Sequence, residues 1–387
     1  MTKTEHVKII EFVDVLKDLP DIKQINIETG AFEKDKCIFL CALGFEDRCL
    51  NIPKKLAELK SKIFKRALYY EYSNNWNENE INRNTLENCL DTISEFSEKI
   101  NCCDDDFAYR LRAYLKKSVD EYKERNKGDV KPKFIYDISV CSSQLILSSI
   151  RVLMEFDIDI EILYTEAEIY HPTIEEFERE SKYWTTHIGI GHSIGVSEII
   201  SVYSGIKEEN LDLIVAFPTF KSERTQAILM TVDETILLKE NPKNIIWVIG
   251  EPNMNLEERK KRKEIMCEIN EIKKGSKMYE ISTLNYKKTV ELLEKIYQKK
   301  DYDSHLNISA LGSKMQSLGI AIFSYIRPEI TIYTALSKGY NPRLYSEGCK
   351  KTWKIDFGNI ASLRELLNKI DTLEIKKNQQ NNMTTEI

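Results

Sequence analysis

Asp137-Ile138-Ser139-Val140-Cys141-Ser142-Ser143-Gln144 and Asn307-Ile308-Ser309-Ala310-Leu311-Gly312-Ser313-Lys314 align without a gap. Each stretch closes a short apolar run, residues 134–139 (FIYDIS) and 305–309 (HLNIS), and opens an apolar helical pattern, residues 145–156 (LILSSIRVLMEF) and 315–326 (MQSLGIAIFSYI). A further apolar, β-branched run follows each helix, residues 160–165 (IEILYT) and 330–334 (ITIYT). Strand, small-residue turn, helix and strand in one order is a β-α-β unit, and its recurrence in the same chain is the signature of a duplicated module.

Working outward, the same match extends in both directions. Upstream, residues 37–43 (CIFLCAL) lead into Gly44-Phe45-Glu46-Asp47-Arg48, and residues 211–217 (LDLIVAF) lead into Pro218-Thr219-Phe220-Lys221-Ser222-Glu223-Arg224. Each half thus sets an acidic residue and an arginine just beyond its first strand. Downstream lie Tyr170-His171-Pro172 and Tyr340-Asn341-Pro342, and then a Ser-x-Gly at Ser193 to Gly195 and at Ser346 to Gly348. The second strands read as residues 66–72 (RALYYEY) and 244–250 (NIIWVIG).

Continuous apolar strands alternating with helices predict a parallel sheet buried on both faces. The expected fold class is therefore α/β, with two tandem Rossmann-like parallel-sheet units related by internal duplication. The expected division is an N-terminal helical element over residues 1–29, a first unit over 30–206, a second over 207–365 and a polar tail over 366–387. Residues 74–127 and 251–300 are charge-rich and helix-favouring, and read as helical inserts. The densest run, residues 256–277 (LEERKKRKEIMCEINEIKKGSK), reads first as a solvated helix face, with nucleic-acid contact as the alternative.

Composition narrows the function class. With 387 residues, 42% hydrophobic and 30% charged, the chain has a globular composition. The 56 Lys+Arg against 62 Asp+Glu give a net charge of -6, which excludes a surface that is basic throughout. Nine cysteines without paired CxxC spacing read as reduced core thiols of a cytoplasmic protein. No apolar run reaches the roughly 18 residues that a membrane span needs. No metal or cofactor signature is present: there is no P-loop, no GxGxxG after a strand, and only one close histidine pair.

In an open parallel sheet, ligands sit beyond the carboxyl ends of the strands, where helix N-termini present free amides. That rule picks out Ser139, Ser142 and Ser143 in the first half, and Ser309, Gly312, Ser313 and Lys314 in the second, as candidate anion-binding residues. Arg48 and Arg224 are candidate phosphate forks. Glu46 and Glu223 are candidates to orient those arginines, to accept ribose hydroxyls or to act as acid and base. His171, an imidazole on a repeated landmark, is the candidate general base. Tyr164, Tyr333, Tyr170, Tyr340 and Tyr345 follow the fourth strands, where rings stack on bases. The bland counterparts are ion pairs, helix caps and core packing for the same residues.

The run Asn307 to Met315, after a strand and opening an apolar helix, resembles the Gly-Thr-Lys-x-Met-like turn of the CRISPR-associated Rossmann-fold (CARF) sensors. The tandem arrangement resembles the SAVED sensor domains of anti-phage signalling systems. This chain has Ser313 where that turn has threonine, and Gln144 where the first copy would carry lysine. The resemblance implies a cyclic or linear oligonucleotide messenger bound between the copies, and since the chain carries no recognisable nuclease, protease or membrane effector, either a separate effector protein as partner or a messenger-degrading role is expected. Three readings follow: a nucleotide-binding sensor or regulator in anti-phage defence, an enzyme cleaving or transferring a nucleotide or phosphoribosyl group in the same cleft, and a non-catalytic assembly subunit of a defence complex.

Overall fold

The computed structural model describes residues 12–28, 32, 37–72, 76–102, 106–126, 131–179, 196–203, 205, 211–239, 242–300, 304–337, 341 and 345–370. Ser193 to Gly195, Tyr340, Pro342, residues 1–11 of the expected N-terminal element and residues 376–387 lie outside them.

The first sheet is built on β2 (Cys37–Ala42), β3 (Phe64–Glu71), β4 (Ser94–Asn101), β5 (Lys133–Asp137) and β6 (Asp159–Thr165). They are joined through α2 (Arg48–Glu58), α3 (Trp76–Ile93), α4 (Phe107–Asn126) and α5 (Ser143–Leu153). The second is built on β9 (Leu211–Phe217), β10 (Ile245–Glu251), β11 (Lys277–Ser282), β12 (Ser304–Ala310) and β13 (Thr331–Ser337). Its helices are α7 (Ser222–Val232), α8 (Leu256–Ile269), α9 (Tyr286–Lys299) and α10 (Lys314–Ile326). All neighbours within these two sets of five strands are parallel. The two tandem Rossmann-like units expected from the sequence are present.

Each sheet then takes one strand from the opposite half. β15 (Thr352–Asn359) joins β6 antiparallel, and β8 (Val196–Tyr203) joins β13 antiparallel. The resulting orders, β15-β6-β5-β2-β3-β4 and β8-β13-β12-β9-β10-β11, are the same, with β1 (Lys23–Ile25) added to the outer edge of β15. A cut between residues 206 and 207 therefore does not separate the two sheets. Physically, each donated strand covers an edge that would otherwise present unpaired amides and carbonyls, and the donation ties the halves together. A third, small pairing joins β7 (Ile169–Tyr170) to β14 (Ser346–Glu347) across the same boundary.

The charge-rich stretches supply helices, and each also supplies an edge strand. β4 buries only Ser94 and Ile100, so its sequence SEFSEKIN lacks the apolar run that marks an inner strand. The N-terminal element is α1 (Phe12–Lys17) followed by β1. A short helix α6 covers residues 174–179, and a last helix, α11, runs over residues 360–370, burying Leu367 and Ile370 within the stretch assigned to the polar tail.

The core is continuous across the seam, where α5 and α10 pack against each other. Among the described cysteines, Cys41, Cys49, Cys89, Cys102 and Cys141 are buried thiols, and burial pushes Cys49 up to about 12. No described helix is long and apolar enough to cross a membrane.

Candidate functional site

The carboxyl ends of both parallel sheets open onto one cavity of ≈ 800 Å³. Of the residues singled out in the sequence, Glu46, Arg48, Ser142, Ser143, His171, Arg224, Gly312, Ser313 and Lys314 line it. Ser139, Ser309 and Glu223 do not.

The two serine turns cap helices in matching geometry. Ser142 caps α5 with φ -68 and ψ 161, and its hydroxyl accepts from the Leu145 amide at 3.2 Å. Ser313 caps α10 with φ -68 and ψ 163, in a capping box with Gln316. The structural partner of Ser313 is thus Ser142, one position away from the gap-free alignment. Lys314 accordingly stands opposite Ser143 rather than Gln144. Gly312 is required because a Cβ there would run into Gln316 Oε1 and meet Phe217 at 3.3 Å. Small side chains at this seam let the two helix starts meet, and Ser317 Oγ donates to Ser143 Oγ at 2.9 Å. Helix N-termini from both halves therefore face one space, which favours negative charge there.

Arg48 is 2% exposed and forms an ion pair with Glu46. Its Nη1 also donates to the Thr165 carbonyl at 3.2 Å and to the Tyr170 hydroxyl at 3.4 Å. Glu46 additionally accepts from the Ser346 hydroxyl, so the second half's Ser-x-Gly landmark clasps the first half's acidic turn. Gly348 completes that clasp by donating its amide to Asp47 at 3.0 Å, at φ +68. Burial acts to raise the Glu46 carboxyl, but Arg48, Lys314 and the Ser346 hydroxyl outweigh it and hold it below the usual carboxylate range. Burial likewise opposes the charge on Arg48, and Glu46 overrides it and drives the guanidinium pKa up.

Arg224 occupies the corresponding place differently. Its Nη2 donates to the Ala335 carbonyl at the end of β13, as Arg48 donates to Thr165 at the end of β6. Its Nε is buried with no hydrogen-bond partner, and no carboxylate lies within ion-pair distance among the described residues. Glu223 sits in the first turn of α7 and does not line the cavity, so it does not repeat the role of Glu46. Lys314 makes no hydrogen bond or ion pair among the described residues. Burial presses its ammonium below the usual range, while Glu46 pulls it up and Arg48 pushes it further down.

Ser139 and Ser309 are fully buried behind the turns. The Ser139 hydroxyl donates to Asp137 and accepts from the Thr165 amide at 2.8 Å, tying β5 to β6 instead of facing a ligand. Both ring nitrogens of His171 are engaged, Nδ1 with Glu176 at 2.8 Å and Nε2 with Glu347 at 3.2 Å. The imidazole thereby fastens the β7/β14 pair, and neither nitrogen is open to take a proton from a bound molecule while those contacts stand.

The sequence reading missed several lining groups. Glu166 and Glu168 follow directly on β6, where the strand-end rule would have found them. Arg262 was counted with the solvated run of α8, yet it shares a three-to-four spacing with buried Ile265 and Ile269, which places it on the inner face. It lies over the Phe220 ring at 5.8 Å and donates to the Tyr170 carbonyl at 3.2 Å. Elsewhere in that run Lys261 pairs with Glu178 at 3.1 Å and Lys263 with Glu280. Phe45 and Tyr345 meet edge to face at 5.5 Å in the cavity wall, and Tyr164 and Tyr170 line it too, whereas Tyr333 does not. No group of metal-ligating side chains is found among the described residues. No protein-family model matches this chain, and no curated protein matches it.

Proposed function

We propose that this cleft binds an anionic, nucleotide-type ligand, and that the protein acts as a sensor or regulator. The observation that carries the reading is a pair of cations, Arg224 and Lys314, with no ion-pair partner among the described residues, in a cavity that both units build. An uncompensated, partly desolvated cation is costly unless an anion completes it. Phe45, Tyr345 and Phe220 line the same cavity and suit the base of a ligand whose phosphate meets those cations. The likeness of the Asn307 to Met315 turn to CARF sensors, and of the tandem arrangement to SAVED domains, supports an oligonucleotide messenger as one ligand class, a place in anti-phage defence in the cytoplasm, and a separate effector protein as the partner. The enzymatic reading has less behind it, because His171 is held by two carboxylates.

The test is thermal melting of the full chain with mononucleotides, linear dinucleotides and cyclic oligonucleotides. A ligand at 100 times its dissociation constant stabilises by about 2.7 kcal/mol. Lys314→Gln and Arg224→Gln each remove the shift while leaving the unliganded melting temperature near that of the parent protein. If no member of the panel moves the transition, the proposal fails.

A further inference from the structure

The cavity is electrically lopsided. Every carboxylate that lines it, Glu46, Glu166 and Glu168, belongs to the first-sheet wall. The second-sheet wall contributes Arg224, Arg262 and Lys314 and no lining carboxylate, while one lysine, Lys350, lines the first-sheet wall, its amide donating to the Glu166 carbonyl at 2.9 Å. The first-wall arginine is already spent, since Arg48 gives its Nε and Nη2 to Glu46 and its Nη1 to Thr165 and Tyr170. On the second wall, the Nε groups of Arg224 and Arg262 and the Nε2 of the 2% exposed Gln316 have no hydrogen-bond partner. Three cations and the unpartnered donors therefore gather on one side, and the three carboxylates, with Lys350 among them, on the other. The Glu168 carboxylate makes no hydrogen bond or ion pair among the described residues, and one oxygen of Glu166 accepts from Trp353 Nε1 at 2.7 Å, leaving the other for a ligand.

The geometry points to a linear ligand with unlike ends: a ribonucleotide whose terminal phosphates lie on the Arg224, Arg262 and Lys314 side and whose ribose hydroxyls face Glu166 and Glu168. This rests on the reading of the cleft as a nucleotide site. Carboxylates pair with vicinal hydroxyls, as acidic residues do with ribose in dinucleotide-binding folds, and they repel phosphate. A two-fold cyclic dinucleotide carries a phosphate on each side and would set one of them against the three glutamates. A linear nucleotide avoids that clash. Its base then lies near Phe45 and Tyr345, which meet edge to face in the cavity wall.

The experiment is calorimetric titration of the full chain with the ribonucleoside 5′-diphosphates, their 2′,3′-dideoxy counterparts, and cyclic di-AMP and cyclic di-GMP. The expected result is that the best ribonucleoside diphosphate binds at least about tenfold more tightly than its dideoxy form and than either cyclic dinucleotide, the loss expected for a hydrogen bond to a charged group. Glu168→Gln, a change at an exposed side chain, is expected to narrow the ribo-to-dideoxy ratio while leaving the melting temperature unchanged. Equal or tighter binding of the cyclic dinucleotides, or no discrimination against the dideoxy forms, overturns the inference and leaves the nucleotide site standing. Binding by none of these compounds overturns the site itself.

Discussion

Ser143 and Ser317 join hydroxyls at 2.9 Å across the seam between the two units, one from the first turn of α5 and the other from the first turn of α10. Ser317 is fully buried, and its single hydroxyl proton is shared between Ser143 Oγ and the Ser313 carbonyl at 3.2 Å. Ser317→Ala is accordingly expected to cost about 1 kcal/mol, the net value of a buried hydrogen bond. Ser317→Leu, which forces branched carbons between two helices in contact, is expected to cost about 1 to 3 kcal/mol. Urea denaturation of both variants gives the numbers, and a leucine variant as stable as the alanine one would mean that the helix starts do not touch.

Asp137 carries a pH signature. Burial raises its carboxyl to about 6, against hydrogen bonds from the Ser139 amide and hydroxyl that act to lower it. The folded pKa exceeds the unfolded one, so this group favours folding most below the unfolded value. Stability then falls as pH rises from about 4 to about 6, by roughly 3 kcal/mol, and is flat above. Asp137→Asn keeps an acceptor for Ser139 and loses the titration. Denaturation midpoints between pH 4 and pH 7 should slope downward more steeply in the parent protein than in the variant. Parallel curves would show that Asp137 is ionised throughout.

How much of this was legible in the sequence depends on burial. Runs such as residues 37–43 and 211–217 hold inner strands whose residues 38–43 and 214–217 are buried, so their apolar letters alone identify them, and the shared strand order follows from the repeat. The polar edge strand β4 leaves no such trace, because its solvated side chains carry no pattern. The exchange of β8 and β15 is invisible for another reason: which edge a strand joins is decided by where the chain lies in space, not by its own residues. At the site, the repeat located Arg48, Arg224, Ser142, Ser313 and Lys314. It also overextended the symmetry, since Glu46 pairs with Arg48 while Glu223 leaves Arg224 alone.

The Ser346 to Gly348 clasp depends on backbone that only glycine adopts without strain. At φ +68, an alanine at Gly348 enters the left-handed region and brings its Cβ to 2.9 Å from Glu168 Oε2. Gly348→Ala is expected to lower stability by about 1 to 2 kcal/mol. It should also speed hydrogen exchange at the Gly348 position's amide, the donor to Asp47. Unchanged protection of that amide would count against the clasp.

Glu46 and Arg48 offer a prediction in which stability and binding move in opposite directions. Both are buried, so Glu46→Gln leaves the Arg48 guanidinium without its counter-charge and is expected to destabilise the free protein by about 3 to 5 kcal/mol. Arg48→Met strands the carboxylate to a similar degree, and the double variant should lose less than the sum of the two, by a coupling of about 1 kcal/mol or more. The guanidinium released by Glu46→Gln still lines the cavity, where nothing then neutralises it. Inorganic pyrophosphate should therefore bind the Glu46→Gln protein more tightly than the parent, by about tenfold, and should recover part of the lost melting temperature. Calorimetry on the two proteins at low salt, repeated at high salt where the gain should shrink, reads both effects. Weaker pyrophosphate binding by the variant would mean that Glu46 holds Arg48 in the geometry the anion needs, and the view of Arg48 as a charge already spent would have to be given up.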